Sequence, residues 1–274
     1  MSRSVEFAGT TAVVTGGASG IGKAMAKAFL TAGCHVIIAD VDEHALAAAT
    51  EELGVLGIRT DVTNPDSVGS LADRALAEFG EVHVVCNNAG VGPFGAVSSM
   101  TPADWRWVLD INLHGVIHGV HAFLPLLQRN TDWGHVVNTS SLSVMLTPPN
   151  TSAYVASKAA VLGLTEVLAA ELRAASSLVG VTALLPGAVR TNIKHSLRSR
   201  PATGSSGLYE VDLSAGGRQL RWLEADEVGS MVLDAIRDDQ LYLVTHPEFA
   251  PHVVERYQRI VGGVSRGRPW RFGV

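Results

Sequence analysis

Tyr154 and Lys158, in Tyr154-Val155-Ala156-Ser157-Lys158, stand four residues apart near the start of a long Ala- and Leu-rich stretch. On a helix that spacing turns both side chains to one face. A free tyrosine titrates at about pH 10 and is a poor base at neutrality. A lysine ammonium beside it favours the phenolate and lowers that value, which makes Tyr154 a candidate for moving a hydroxyl proton. The pair alone says little, because an exposed tyrosine and lysine meet at this spacing often by chance. Ser141 lies thirteen residues earlier, just beyond the apolar run His135–Thr139. Its hydroxyl can donate to an oxygen on which negative charge develops. Ser140 and Ser143 are its neighbours, and spacing favours Ser141 as the one that points inward. Asn112, in Asp110-Ile111-Asn112-Leu113, is suited to orient a water linking Lys158 to solvent.

A second constellation lies near the start of the chain. The apolar run Thr11–Thr15 leads straight into Gly16-Gly17-Ala18-Ser19-Gly20-Ile21-Gly22, and a helical pattern follows. Glycines at 16, 20 and 22 let the backbone turn tightly and approach a pyrophosphate, whose charge sits at the helix N-terminus. Gly16, Ser19, Gly20, Ile21 and Gly22 are therefore candidate cofactor contacts. The spacing is G-x-x-x-G-x-G, not the commoner G-x-G-x-x-G, and an ordinary strand-to-helix turn would use the same glycines. Asp40 closes the next run, His35-Val36-Ile37-Ile38-Ala39. A carboxylate there accepts hydrogen bonds from adenosine ribose hydroxyls and repels a 2′-phosphate. No Arg or Lys stands at 17–19 and Val41 follows Asp40, so the pattern predicts NAD, with NADP disfavoured. The plain alternative makes Asp40 a turn residue and Asp42 the N-cap of the next helix.

These groups need a scaffold, and the hydrophobic pattern describes one. Short β-branched runs at Thr11–Thr15, His35–Ala39, Leu56–Thr60, Val82–Cys86, His135–Thr139, Val181–Leu185 and Leu241–Thr245 alternate with helical stretches near 20–32, 43–53, 65–79, 102–128, 152–176 and 225–238. Alternation of this kind predicts an α/β, doubly wound Rossmann fold: one domain over 1–274, with about seven parallel strands and helices on both faces. The 274-residue length suits one such domain and is short for two. A net charge of −5 argues against a nucleic-acid partner. Cys34 and Cys86 each lie inside an apolar run and read as buried thiols of a reducing compartment. No leader pattern or run of some 18 apolar residues points to a membrane, so a cytoplasmic protein is expected.

The motifs quoted so far, together with Asp61-Val62, Asn87-Asn88-Ala89-Gly90 and Pro186-Gly187-Ala188-Val189-Arg190-Thr191, resemble the short-chain dehydrogenases/reductases in order and spacing over about 190 residues. The resemblance implies a Rossmann fold and hydride transfer between NAD(H) and a secondary alcohol or ketone, with Tyr154 as acid or base. It also implies that Asp61 and Val62 flank the adenine, while Asn88, Ala89 and Gly90 line the adenosine-ribose side. Pro186 and Gly187 open the loop in which Val189 and Thr191 meet the nicotinamide carboxamide, and Lys158 also binds the nicotinamide ribose. A binding protein that senses redox state without turnover is the alternative. An intact Asn112-Ser141-Tyr154-Lys158 set argues against it, since a sensor needs no proton-transfer group.

Residues 192–223 are polar and rich in Gly and Pro, and read as a substrate lid. Its Leu197, Leu208, Tyr209, Leu213 and Leu220 suggest an apolar or aromatic substrate. Ser196–Ala202, Gly207-Leu208-Tyr209 and Tyr242–Glu248 resemble a branch of the family that includes bacterial Cα-dehydrogenases, which oxidise benzylic alcohols of lignin-derived aryl ethers. The basic tail 264–274, with Trp270 and Phe272 as anchors, is expected to reach a neighbouring subunit near its lid. A homotetramer or homodimer is expected through helices 102–128 and 152–176, where Val161, Leu162, Leu164, Val167 and Leu168 exceed what one sheet face can bury. His114, His118 and His121 lie within about 60° of one helical face. With no carboxylate paired to them in the motif, no metal is expected there. Trp105 and Trp107 read as packing residues, not as a substrate wall.

Overall fold

The computed structural model describes residues 5–201, 205–212 and 221–263. Seven strands form one all-parallel sheet: β1 Thr11–Thr15, β2 His35–Asp40, β3 Leu56–Arg59, β4 Val84–Asn87, β5 Gly134–Thr139, β6 Val179–Leu185 and β7 Tyr242–Val244. Their spatial order is β3-β2-β1-β4-β5-β6-β7, so the winding reverses between β1 and β4. Open parallel sheets bind ligands at such a reversal, beyond the carboxyl ends of the strands.

Side chains alternate across the pleat, so Val14 and Ile38 join one core layer while their neighbours Val13 and Ile37 join the other. The first layer packs on α1 (Gly20–Thr31) and α8 (Ala225–Arg237) through Met25, Phe29, Val232 and Ile236. The second packs on α3 (Pro65–Phe79), α5 (Gly115–Leu127) and α7 (Ser152–Ala174) through Leu71, Phe123 and Leu168. Burial on both faces explains why the strands are apolar throughout. Asp42 does cap α2 (Glu43–Leu53), accepting from Ala45 N at 3.1 Å. Both cysteines are buried and unpaired.

Three features depart from the sequence pattern. The stretch 102–128 is two helices, α4 (Pro102–Leu109) and α5, joined by a π-helical turn at Asp110–His114. The wider turn accommodates an inward polar side chain, since Asn112 is fully buried within it. A further helix, α9, spans Ala250–Gly262 and has no buried residue. Its apolar face lacks a core to pack on, which is why periodicity did not announce it, although Pro251 in its first turn is a helix-start signal. Thirdly, Val161, Leu162 and Leu168 of α7 are buried within the subunit, and only Val167 and, on α5, Ile117 stay exposed among the large apolar residues of these two helices. The surface left for an interface is smaller than the expectation held. A four-residue helix, α6 (Ser143–Leu146), precedes α7. The tail 264–274 and the lid residues Leu213 and Leu220 lie outside the described residues.

Candidate active site

The strand ends gather the candidate residues along one edge. From β1 the chain enters the glycine loop, where Gly16 (φ +64°) lies so near the β4 end that an added Cβ would sit 2.8 Å from Ala89 Cα. The Thr15 hydroxyl joins the two strand ends, donating to Cys86 O at 3.2 Å and accepting from Asn88 N at 2.9 Å and Ala89 N at 3.2 Å. Asn88 donates from Nδ2 to Thr15 O at 3.1 Å and accepts from the Thr139 hydroxyl at 3.2 Å. Ser19 stands at the N-cap of α1 with no side-chain cap, and no acidic residue lies in the first turn, so the helix-end amides of Gly20, Ile21 and Gly22 carry no built-in anion. Asp40 ends β2 and accepts from Ala18 N at 3.3 Å and Asp42 N at 3.1 Å, which ties its carboxylate to the glycine loop. The turn reading of this acid holds, and the same bonds set its carboxylate beside the glycine loop.

Asp61 accepts from the Thr63 amide and hydroxyl at 2.9 and 2.7 Å, and Val62 packs closely against Gly115. The Val62 carbonyl accepts from His118 Nδ1 at 2.8 Å. His114 pairs with Asp110 at 3.0 Å, so a carboxylate does accompany the histidines and that part of the sequence reading is corrected. The i, i+4 spacing from Asp110 to His114 carried the signal.

Around Tyr154 the three serines separate cleanly. Ser140 donates to Lys158 O at 2.8 Å and so braces α7. Ser143 donates to Ser141 Oγ from its own hydroxyl at 2.9 Å and from its amide at 3.1 Å. With its oxygen so engaged, Ser141 keeps its own proton free to donate, and it lies close enough to the Tyr154 phenol to favour the ionised form. Lys158 is 2% exposed and donates from Nζ to Thr139 O at 2.8 Å. Gly90 lies against both Lys158 Nζ and Asn112 Oδ1. The Asn112 side chain is held on three sides: it accepts from Val91 N at 2.8 Å and donates to Val91 O and Ser157 Oγ at 2.9 and 3.1 Å.

Burial pushes the Tyr154 phenol above its usual pKa, and the Ser141 hydrogen bond works against that rise. This reverses the direction expected from Lys158, because the ammonium is turned to the Thr139 carbonyl and desolvation of the phenol wins. Burial brings Lys158 down to about 8.

On the far side, Pro186 O accepts from Leu142 N at 3.0 Å, and Thr191 lies against Gly20, bringing the second loop over the first. Val189 pairs with Leu223 in a parallel bridge. Sequence reasoning missed what holds this loop. Gly187 N donates to Thr245 Oγ1 at 3.1 Å, and Thr245 Oγ1 and His246 Nδ1 are 2.7 Å apart. His246 Nε2 bonds Arg221 O at 3.0 Å. The Arg221 carbonyl can only accept, so His246 Nε2 donates to it, while Nδ1 bonds the same Thr245 hydroxyl that accepts from Gly187. Above Tyr154, Gly92 donates to Ser196 Oγ at 3.1 Å and packs against Ile193. Phe94 and Tyr209 exchange two backbone hydrogen bonds, with ring centroids 6.2 Å apart. Trp105 and Trp107 pack against the cluster of Val91, Val108 and Ala153, as their packing reading expects.

The sequence profile of the short chain dehydrogenase family matches residues 10–202. A short chain dehydrogenase/reductase from Burkholderia phymatum, solved in complex with NAD, is 37% identical and superposes with a TM-score of 0.87 over 98% of this chain and 100% of its own. The C alpha-dehydrogenase of Sphingobium sp. is 32% identical, covering 95% of this chain and 88% of the relative. The 1-deoxy-11-beta-hydroxypentalenate dehydrogenase of Streptomyces avermitilis is 34% identical, covering 95% of this chain and 93% of the relative.

Proposed function

The chain belongs to the short chain dehydrogenase family, and from that premise we propose that it moves hydride between NAD(H) and a secondary alcohol or ketone with an apolar or aromatic body, Tyr154 serving as acid and base. The observation that carries this reading is the meeting of Ser141, Tyr154 and Lys158 at the carboxyl edge of the sheet, beside the β1–β4 reversal. The glycine loop fits a dinucleotide: α1 presents uncapped amides, and the backbone approach at Gly16 leaves no room for a side chain. Gly16, Ser19, Gly20, Ile21 and Gly22 would hold the pyrophosphate, Asp61, Val62, Asn88, Ala89 and Gly90 the adenosine, and Pro186, Gly187, Val189 and Thr191 the carboxamide. When bound, the oxidised nicotinamide supplies the two-electron acceptor and a positive charge near the phenol.

In the oxidative direction Tyr154 takes the hydroxyl proton and Ser141 donates to the same oxygen, its own proton aimed by the two bonds it receives from Ser143. Lys158 has protons left for a ribose hydroxyl and a water, since one bond to Thr139 uses a single donor. Asp40 favours NAD over NADP by charge. Ile193, Phe94 and Tyr209 give the substrate an apolar surround. A homodimer or homotetramer in the cytoplasm completes the reading; the exposed Ile117 and Val167 are its candidate contacts. Sedimentation at micromolar concentration tests the assembly, a monomer counting against it. Mixing the protein with NAD and a panel of secondary alcohols, and following the NADH absorbance band, tests the activity. NAD binding with no turnover on any alcohol or ketone would favour the sensor.

A further inference from the structure

Asp104 is a fully buried carboxylate, far from Tyr154 in sequence, and the chain read as a lid returns to it from two sides. It sits in the first turn of α4, where it forms a capping box with Thr101: Thr101 N donates to Oδ2 at 2.9 Å and Asp104 N to Thr101 Oγ1 at 3.2 Å. Capping alone needs no burial, since such residues ordinarily stay in water. The remaining acceptor positions are filled from the lid. Arg200 Nη2 meets Oδ1 at 2.7 Å, Ser206 Oγ donates to Oδ1 at 2.8 Å, and Gly207 N donates to Oδ2 at 3.0 Å. Burial would raise this carboxyl's pKa, but hydrogen bonds from Thr101, Gly207 and Ser206 outweigh it and hold the group at about 2.

Of the two lid arms that touch the carboxylate, one reaches Gly92 beside Tyr154 and the other reaches Phe94, two residues further along the same segment. Arg200 follows directly on the 3-10 segment Asn192–Ser199, which carries Ile193 and Ser196 onto Gly92. Gly207 passes so close to the Ser99 carbonyl that an added Cβ would lie 2.1 Å from it. Two residues later Tyr209 pairs with Phe94. One buried anion therefore ties the segment that carries Ile193 to the one that carries Tyr209, and among the described residues none of its bonds goes to the glycine loop or the Pro186–Thr191 segment.

We propose that Asp104, through its pairing with Arg200, is the positioning residue of the alcohol site: it sets Ile193 against Gly92 beside Tyr154 and Tyr209 against Phe94, and so governs alcohol recognition without governing cofactor affinity. The proposal rests on the dehydrogenase reading for its consequence and on geometry alone for the clamp. Two arms test it in the full-length protein. Amide hydrogen exchange over 192–200 and 205–212 should quicken at least 10-fold in Asp104→Asn and in Arg200→Met, while exchange over β1, β4 and β5 stays unchanged. Arg200→Met leaves the α4 cap intact, so it decides the matter if Asp104→Asn fails to fold. In the second arm KM for a secondary alcohol should rise about 10-fold in Arg200→Met, with the Kd for NAD within 2-fold of wild type. Unchanged lid exchange in Arg200→Met overturns the clamp. Faster exchange with an unchanged KM overturns its role in recognition. If the wild type turns over no alcohol, the dehydrogenase reading fails and the exchange arm still decides the clamp.

Discussion

The glycine-loop side and the lid side of this molecule are built by different means. On the glycine-loop side, candidate residues sit at the ends of β1, β2 and β4, and short side chains such as Thr15 and Asn88 lace neighbouring strand ends together. Position there follows from the sheet, whose register admits no slack once both faces are buried. On the lid side no strand among the described residues supplies the frame. A 3-10 segment, an isolated bridge and one buried ion pair hold the walls, with partners about a hundred residues apart. A site made by a sheet edge is stiff by construction, while one made by returning loops depends on a few contacts. The first suits a cofactor common to many reactions, and the second can be altered without disturbing it.

The sharpest way to break the comparison is to strike the group where the two sides meet. Tyr154→Phe should lower kcat about 1,000-fold or more, because it removes the proton-transfer group. NAD affinity should stay near wild type, since the cradle is untouched; titration of cofactor fluorescence checks this. A near-normal kcat would end the assigned chemistry.

Next in size is an effect on stability. Lys158 is buried and its pKa in the folded protein is about 8, against 10.5 for an ordinary lysine. A depressed lysine pKa means that the unfolded chain binds more protons between those values. Stability should therefore rise as pH goes from 8 towards 10.5, and the desolvation penalty should be fully present below 8. Over the whole window the gain is about 3 kcal/mol at most. Urea unfolding at several pH values should show this slope in the wild type and lose it in Lys158→Met. A flat wild-type profile would mean that Lys158 is better solvated than its 2% exposure implies.

How much of this was legible beforehand follows the same division. The strand ends, the glycine loop and the Tyr154–Lys158 pair are local patterns, and the structure places them together along one edge. What stayed hidden depends on contacts distant in sequence. Nothing near Thr101-x-x-Asp104 distinguishes an exposed capping box from one buried by a returning lid. Spacing singled out Ser141, but that Ser140 braces α7 depends on a bond to Lys158 O eighteen residues away. The π turn at Asp110–His114 was masked by continuous helical periodicity, and α9 by the absence of any face to bury. His246 drew no role of its own from the Tyr242–Glu248 pattern, because its partner Arg221 comes from a different segment.

That histidine offers a test on the cofactor side. His246→Ala removes the partner of the Thr245 hydroxyl and the donor to Arg221 O, leaving polar groups unpaired at a cost of about 1–3 kcal/mol. The Pro186–Thr191 loop loses its anchor at Gly187, so the KM for NAD should rise about 10-fold while the KM for alcohol moves less. Equal changes in both would show that the two sides are not separable at this point.

The smallest expected effect tests whether the glycine-loop side selects its cofactor by charge. Asp40 is held by Ala18 N and Asp42 N, so its carboxylate stays at the loop whether or not a ribose is present. A 2′-phosphate brought there meets a fixed negative charge with no lysine or arginine at 17–19 to offset it. In a half-solvated position one such repulsion is worth about 1 kcal/mol, or roughly 5-fold in affinity. Asp40→Ala should therefore narrow the preference for NAD over NADP by about that factor. Part of the change should come from weaker NAD binding, because the ribose loses an acceptor. The Kd for alcohol should not move, as the bonds of Asp40 all lie on the loop side. Comparing kcat/KM for the two cofactors in wild type and variant decides it. A wild-type enzyme that works better with NADP would show that charge at the end of β2 does not choose the cofactor.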